Sequence, residues 1–145
     1  MKPDLGFQTT PDFTGWPPHM SSVDFILWQR FRRKFPLAFG AVYYDVAVGP
    51  GTPAGAGATA AVLEAWLRIT RHRVDVVGEG AAGWVLIEVR GAAGPGAVGS
   101  LVVYRNLWNA DPPDTRPVRL WLVTDIFSEA LQATLREQEI ELYLV

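Results

Sequence analysis

The chain contains no cysteine among its 145 residues, so disulfides and thiolate metal sites are excluded. That absence fits either redox compartment. Histidine is nearly missing too. His19 and His72 stand alone, without an H-x-x-x-H or H-E-x-x-H pair, so no histidine zinc site follows. Charge of one sign does not dominate: the formal net charge is −2, with acids and bases spread along the chain. A broad basic face for nucleic acid is not expected, although a local basic groove is compatible with this balance. No apolar run approaches the roughly 18 residues of a membrane span, and Met-Lys-Pro-Asp-Leu-Gly lacks a signal-peptide core. The expectation is a protein neither secreted nor in the membrane. No G-K-[ST] is present for a P-loop, and Ser100 lies outside any G-x-S-x-G elbow.

What is present is a hydrophobic content of 49% in a length that suits one domain with a real core. Residues 1–20 carry Pro3, Pro11, Pro17 and Pro18, which exclude helix interiors and central strands. Phe7, Phe13 and Trp16 are interspersed. The reading is an extended N-terminal arm, either packed on its own domain or a neighbour, or free, followed by a domain over 21–145.

Ser21-Ser22 reads as an N-cap for a helix over Val23–Lys34, whose basic end suits the negative pole of the dipole. Arg30, Arg32, Arg33 and Lys34 there read either as a basic rim for phosphate or as a solvated face. Phe39–Val48 reads as a strand, 49–57 as a small-residue loop, and Thr59–Leu67 as a short helix. Alternation from Ile69 to Val77 gives a second strand, Glu79–Gly83 a hairpin loop, and Trp84–Arg90 a third strand covered on both faces. Gly91–Gly94 reads as a flexible link. Pro95 opens a helix to Asn109, with Ala97, Leu101, Tyr104 and Trp108 in one stripe. After Asp111–Asp114 come a strand over Val118–Thr124, a helix capped by Asp125 or Ser128 and running to about Gln138, and a strand from Ile140 to Val145. Helices alternating with strands after a hairpin give an α/β fold with a single mixed sheet flanked by helices. Trp16 and Trp108 read either as core and packing residues or as platforms for bases.

The chemistry concentrates in Arg73–Arg90. Asp75 sits among valines on one strand, while Glu88 and Arg90 share a side of the next by their i, i+2 spacing. A carboxylate on each of two adjacent strands, with a cation beside the second, is a set that can hold a divalent metal against a phosphate. The bland alternative is a pair of strand-end acids matched to Arg71, Arg73 or Arg90.

This pattern resembles the D…(D/E)-x-K core of the restriction-endonuclease-like, or PD-(D/E)XK, superfamily, whose αβββαβ order the predicted elements follow. More narrowly the chain looks like a group of small phage proteins. The resemblance is carried by Y-Y-D-V-A-V-G (43–49), T-R-H-R-V-D-V-V-G (70–78), W-V-L-I-E-V-R (84–90), G-A-V-G-S-L-V-V-Y-R-N-L-W (96–108) and V-R-L-W-L-V-T-D (118–125). It implies Asp75 and Glu88 as ligands of Mg²⁺ or Mn²⁺, with Arg90 in the place of the lysine. An arginine stays protonated and cannot act as a base, but it holds a phosphate bidentately. Where the family often carries a glutamine in its second helix, this chain has Ser100. Where some members place a glutamate in the first helix, this chain offers Asp24 or Gln29, and neither is an obvious match.

The resemblance therefore implies one of two main roles, with a DNA-end binder that does not cleave as a third that overlaps the second. The first is a metal-dependent DNA phosphodiesterase using Asp75, Glu88 and Arg90. The second is a non-catalytic virion component, in head completion or at the head–tail neck, that keeps the fold as a scaffold. The implied partners are DNA, other phage structural proteins reached through the arm, and a second copy of the chain. The implied location is the host cytoplasm or the assembled virion.

Overall fold

A computed structural model describes every residue of the chain except Pro11 and Leu37. Pro11, one of the prolines of the N-terminal stretch, thus lies outside the described residues. The elements are β1 (Phe7–Thr9), α1 (Ser22–Lys34), β2 (Ala41–Val48), α2 (Ala60–Thr70), β3 (His72–Gly80), β4 (Gly83–Val89), α3 (Pro95–Ala110), β5 (Val118–Thr124), α4 (Gln132–Glu137, preceded by a 3₁₀ turn at Glu129–Leu131) and β6 (Ile140–Leu144). They form one mixed six-stranded sheet in the order β1-β2-β3-β4-β5-β6. The first four strands run antiparallel to their neighbours, while β4, β5 and β6 are parallel. The fold is α/β with a single mixed sheet flanked by helices.

Each face of the sheet carries its own core. Leu27, Trp28 and Phe31 of α1 meet Val42, Tyr44, Val76, Ile87 and Val123 on one face. Ala97, Val98, Leu101 and Trp108 of α3 meet Val46, Val74, Val77, Leu86 and Leu122 on the other. A strand buried on both sides needs a near-continuous apolar run, and every residue of β4 is buried, Glu88 included. On the α1 face Trp28 Nε1 donates to the Tyr44 hydroxyl at 2.9 Å, which satisfies both buried groups.

The arm packs on its own domain. Phe7, Gln8 and Thr9 pair with Tyr44, Tyr43 and Val42, and Thr9 Oγ1 donates to the Val42 carbonyl. Arg71 donates to the Lys2 carbonyl as well as to Gly49 and Ala47, so the arm's start is tied to the ends of β2 and α2. Trp16 lies outside, stacked on Phe25 at 4.5 Å between centroids. Trp108 is fully buried and is a core residue.

Four expectations are corrected. Ile69 and Thr70 belong to α2 rather than to the strand, because the Arg71 N–H still reaches the Leu67 carbonyl and the helix turns once more. The hairpin loop shrinks to Ala81-Ala82, since Glu79 pairs with Trp84 and Gly80 with Gly83. Gly83 makes this tight turn with φ 128, where a Cβ would come within 2.3 Å of the Pro117 carbonyl. The link at Gly91–Gly94 is pinned rather than flexible. Gly91 N–H donates to Asp24, Ala92 N–H to Asp125 and Ala93 N–H to the Thr124 hydroxyl. Asp125 is therefore a loop brace and not a helix cap; Ser128 takes the capping position without a side-chain bond.

Candidate functional site

The sheet places its acids in a row. Tyr44 pairs with Val76 and Val46 with Val74, so Asp45 on β2 stands opposite Asp75 on β3. Val76 pairs with Ile87, so the next step along the same register brings Asp75 opposite Glu88 on β4. Directly opposed residues of an antiparallel pair share a face. Glu88 has the parity of Trp84 and Leu86 and looks toward α3. The sequence-predicted pair is thus brought together at the end of the sheet where β4 finishes.

The strands depart from regular alternation in this row. Tyr44 joins the α1-side core but Val46 the α3-side core, and the same switch separates Val76 from Val74. Asp45 has φ 54, a left-handed conformation uncommon for a residue with a Cβ. It is held by Arg73 Nη1 on Oδ2 at 3.0 Å, with His19 Nε2 at 3.5 Å from the same oxygen. Burial pushes the Asp45 carboxyl up, against Arg73 and His19. Arg73 is therefore committed to Asp45 and to the α2 end at the Arg68 carbonyl.

At the row's centre, Asp75 Oδ2 accepts from the Val89 N–H at 3.0 Å, replacing the ladder where backbone pairing stops. Glu88 is 1% exposed. Its Oε1 accepts from Arg90 Nη2 at 2.6 Å, while its Oε2 is buried with no hydrogen-bond partner among the described residues. Burial is the largest influence on both acids. It pushes Asp75 up to about 6 and, with the neighbouring Asp75 charge, Glu88 up to about 7. Two carboxylates this close hold protons well above their usual range unless a cation joins them.

The surroundings come from both helices. Of the two α1 candidates, Asp24 is the one that reaches the site, accepting from Gly91 N–H at 3.2 Å and raising both Asp75 and Glu88. From α3, Ser100 and Tyr104 lie one turn apart. Burial, then Glu88 and Asp75, push the Tyr104 phenol up to about 12. Tyr104 is the site neighbour that sequence reasoning assigned to the core stripe. Its only signal was the i+4 spacing from Ser100, which serves packing equally well. Arg90 is half exposed and presents the rest of its guanidinium outward.

The donors suit a divalent ion in part. Glu88 Oε2 and the second Asp75 oxygen are two hard oxygen ligands, and Mg²⁺ commonly takes the rest of its shell from water and phosphate. Among the described residues no group of three or more His, Cys, Asp or Glu side chains is arranged to hold a metal. Among them, too, no helix is long and apolar enough to cross a membrane. Compared with protein-family models, curated proteins and solved structures, the chain has no significant match to any.

Proposed function

We propose that this chain is a phage protein of the PD-(D/E)XK nuclease-like kind, acting as a metal-dependent DNA phosphodiesterase through Asp75, Glu88 and Arg90. The observation that carries the reading is the opposed Asp75–Glu88 pair with one bare, buried carboxylate oxygen at the end of an α1-β2-β3-β4-α3-β5 layout. Asp75 and Glu88 would hold Mg²⁺ or Mn²⁺. When bound, such an ion lowers the pKa of its water and offsets phosphate charge. The chain's own part is positioning. Val89 N–H and the Asp24–Gly91 contact fix the acids' frame, and Arg90 offers its outer nitrogens to a phosphate oxygen. Burial of the pair makes metal entry coincide with loss of a proton.

A second reading is favoured by one contact: the 2.6 Å Arg90–Glu88 pair already neutralises the acid that a metal would need. In that reading the chain is a virion scaffold that has kept the fold, and Arg90 replaces the cation.

Plasmid and single-strand cleavage with Mg²⁺ or Mn²⁺ separates the two. The phosphodiesterase reading expects cleavage by the native chain, lost in Asp75→Ala and Glu88→Ala and kept in Arg90→Lys. No cleavage by the native chain at any metal concentration overturns it. A gain of cleavage in Arg90→Lys alone, or silence from every variant, supports the scaffold.

A further inference from the structure

The indole that the arm leaves outside is firmly held. Trp16 stacks on Phe25 of α1 with 4.5 Å between centroids and 13° between planes. Its Nε1 donates to the Met20 carbonyl at 2.8 Å, and Met20 packs against the α1-side core. Pro17 and Pro18 stiffen the turn between them. Trp16 is nonetheless 57% exposed, so with Phe25 behind one face the other face is open to solvent. A ring fixed in place with one bare π face needs little further ordering when a flat partner stacks on it.

Polar and cationic groups continue from this platform along the outer side of α1. Gln29 and Arg33 follow Phe25 at one-turn steps, and Arg30 stands beside Arg33 at i, i+3. Ile26, 49% exposed, lies on the helix surface between Phe25 and Arg30. Both arginines are exposed, and Arg33 is in no ion pair among the described residues. We propose that this face binds single-stranded DNA, with one unpaired base stacked on Trp16 and neighbouring phosphates held by Arg30 and Arg33. An aromatic face followed by cations matches the base-and-phosphate repeat of a single strand. A duplex keeps its base faces stacked on one another and offers the ring nothing. A protein interface centred on Trp16 would set Arg30 and Arg33 where interface cores are depleted of charge. The platform also stands beside the acid row. Phe25 follows Asp24, which accepts from Gly91 N–H, and His19 of the arm lies 3.5 Å from Asp45. The proposal rests on the DNA part of the reading above and narrows it to unpaired strands, without requiring cleavage.

Fluorescence anisotropy of the full chain with a labelled oligothymidylate of about fifteen nucleotides tests this, in EDTA so that no strand is cut. An abasic strand of equal length carries the same charge without the rings. The native chain binds the thymidylate strand at least about tenfold tighter than the abasic one, Trp16→Ala removes that preference, and Trp16→Phe keeps part of it. Arg33→Gln weakens both strands alike and lowers the salt slope by about 0.7. Equal binding of the two strands by the native chain, a preference that survives Trp16→Ala, or no binding at all overturns the proposal. Circular dichroism of each variant establishes that it is folded before it is counted. Plasmid cleavage with Mg²⁺ is scored separately. Native cleavage without a Trp16-dependent preference sinks the platform alone, and Trp16-dependent binding without cleavage sinks the phosphodiesterase alone.

Discussion

Glu88 gives one carboxylate oxygen to Arg90 at 2.6 Å and leaves the other buried and bare. The side chain is nearly closed from solvent, yet its partner is half exposed. Arg90 therefore works as a stopper on a buried acid. Arg90→Ala removes the one countercharge that touches Glu88. The expected cost is about 1–3 kcal/mol in denaturant unfolding at neutral pH, with Arg90→Lys recovering part of it. An unchanged midpoint in Arg90→Ala would contradict the pairing.

The protonation of the pair sets the pH dependence of stability. Asp75 and Glu88 both have folded-state values raised above their unfolded ones by burial first; the Asp24 charge adds to the rise at Asp75, and the Asp75 charge to the rise at Glu88. The folded chain then binds more protons than the unfolded chain between about pH 4 and pH 7. Their contribution is fully present below about pH 4 and is lost as pH rises through about 6 to 7. Unfolding free energy should fall across that window by several kcal/mol, since Asp75 is raised to about 6 and Glu88 to about 7. In Glu88→Gln the slope should flatten, and stability at pH 8 should rise relative to the native chain.

The proposed metal site is tested on the same pair. Mn²⁺ at about a hundred times its dissociation constant stabilises a folded protein by about 2.7 kcal/mol if the unfolded chain does not bind it. Native protein should show a raised melting temperature with Mn²⁺ at pH 8, and a smaller rise at pH 6, where protons compete. Asp75→Asn should show neither. Equal shifts in both proteins would place the metal elsewhere.

Away from the site, the tight β3–β4 turn depends on Gly83. A methyl there meets the Pro117 carbonyl at 2.3 Å with φ at 128. Gly83→Ala should cost about 2 kcal/mol or more, whereas Gly80→Ala, with open space at its Cβ, should cost under about 1 kcal/mol. Thermal melts of the two variants side by side check the difference.

Local signals carried most of the architecture. Ser21 does cap α1, accepting from Asp24 N–H, and Pro95 does open α3. The strand over Val118–Thr124 stands with the ends that its β-branched and aromatic run suggests. The placing of the two acids on adjacent strands was legible from the hairpin reading; that they stand opposite each other depends on the register set by the β3–β4 turn. What stayed hidden depends on distant partners. Phe7–Thr9 is a strand only because β2 offers an edge more than thirty residues away. Nothing in Y-Y-D-V announces that Asp45 takes a left-handed conformation, since Arg73 and His19, which hold it there, come from other parts of the chain. The bracing of Gly91–Gly94 by Asp24, Thr124 and Asp125 was hidden for the same reason.

The pairing of Phe7–Thr9 with Val42–Tyr44 also orders events in time. The strand β1 must wait for its partner, while β3 and β4, separated by two residues, close at once. Contacts across long stretches of chain form late because their loop entropy must be offset first. The N-terminal strand is thus expected to dock late onto an existing sheet, and until then β2 is an open edge. A chain lacking residues 1–10 should fold its sheet at nearly the native rate but unfold faster, and should aggregate through that edge.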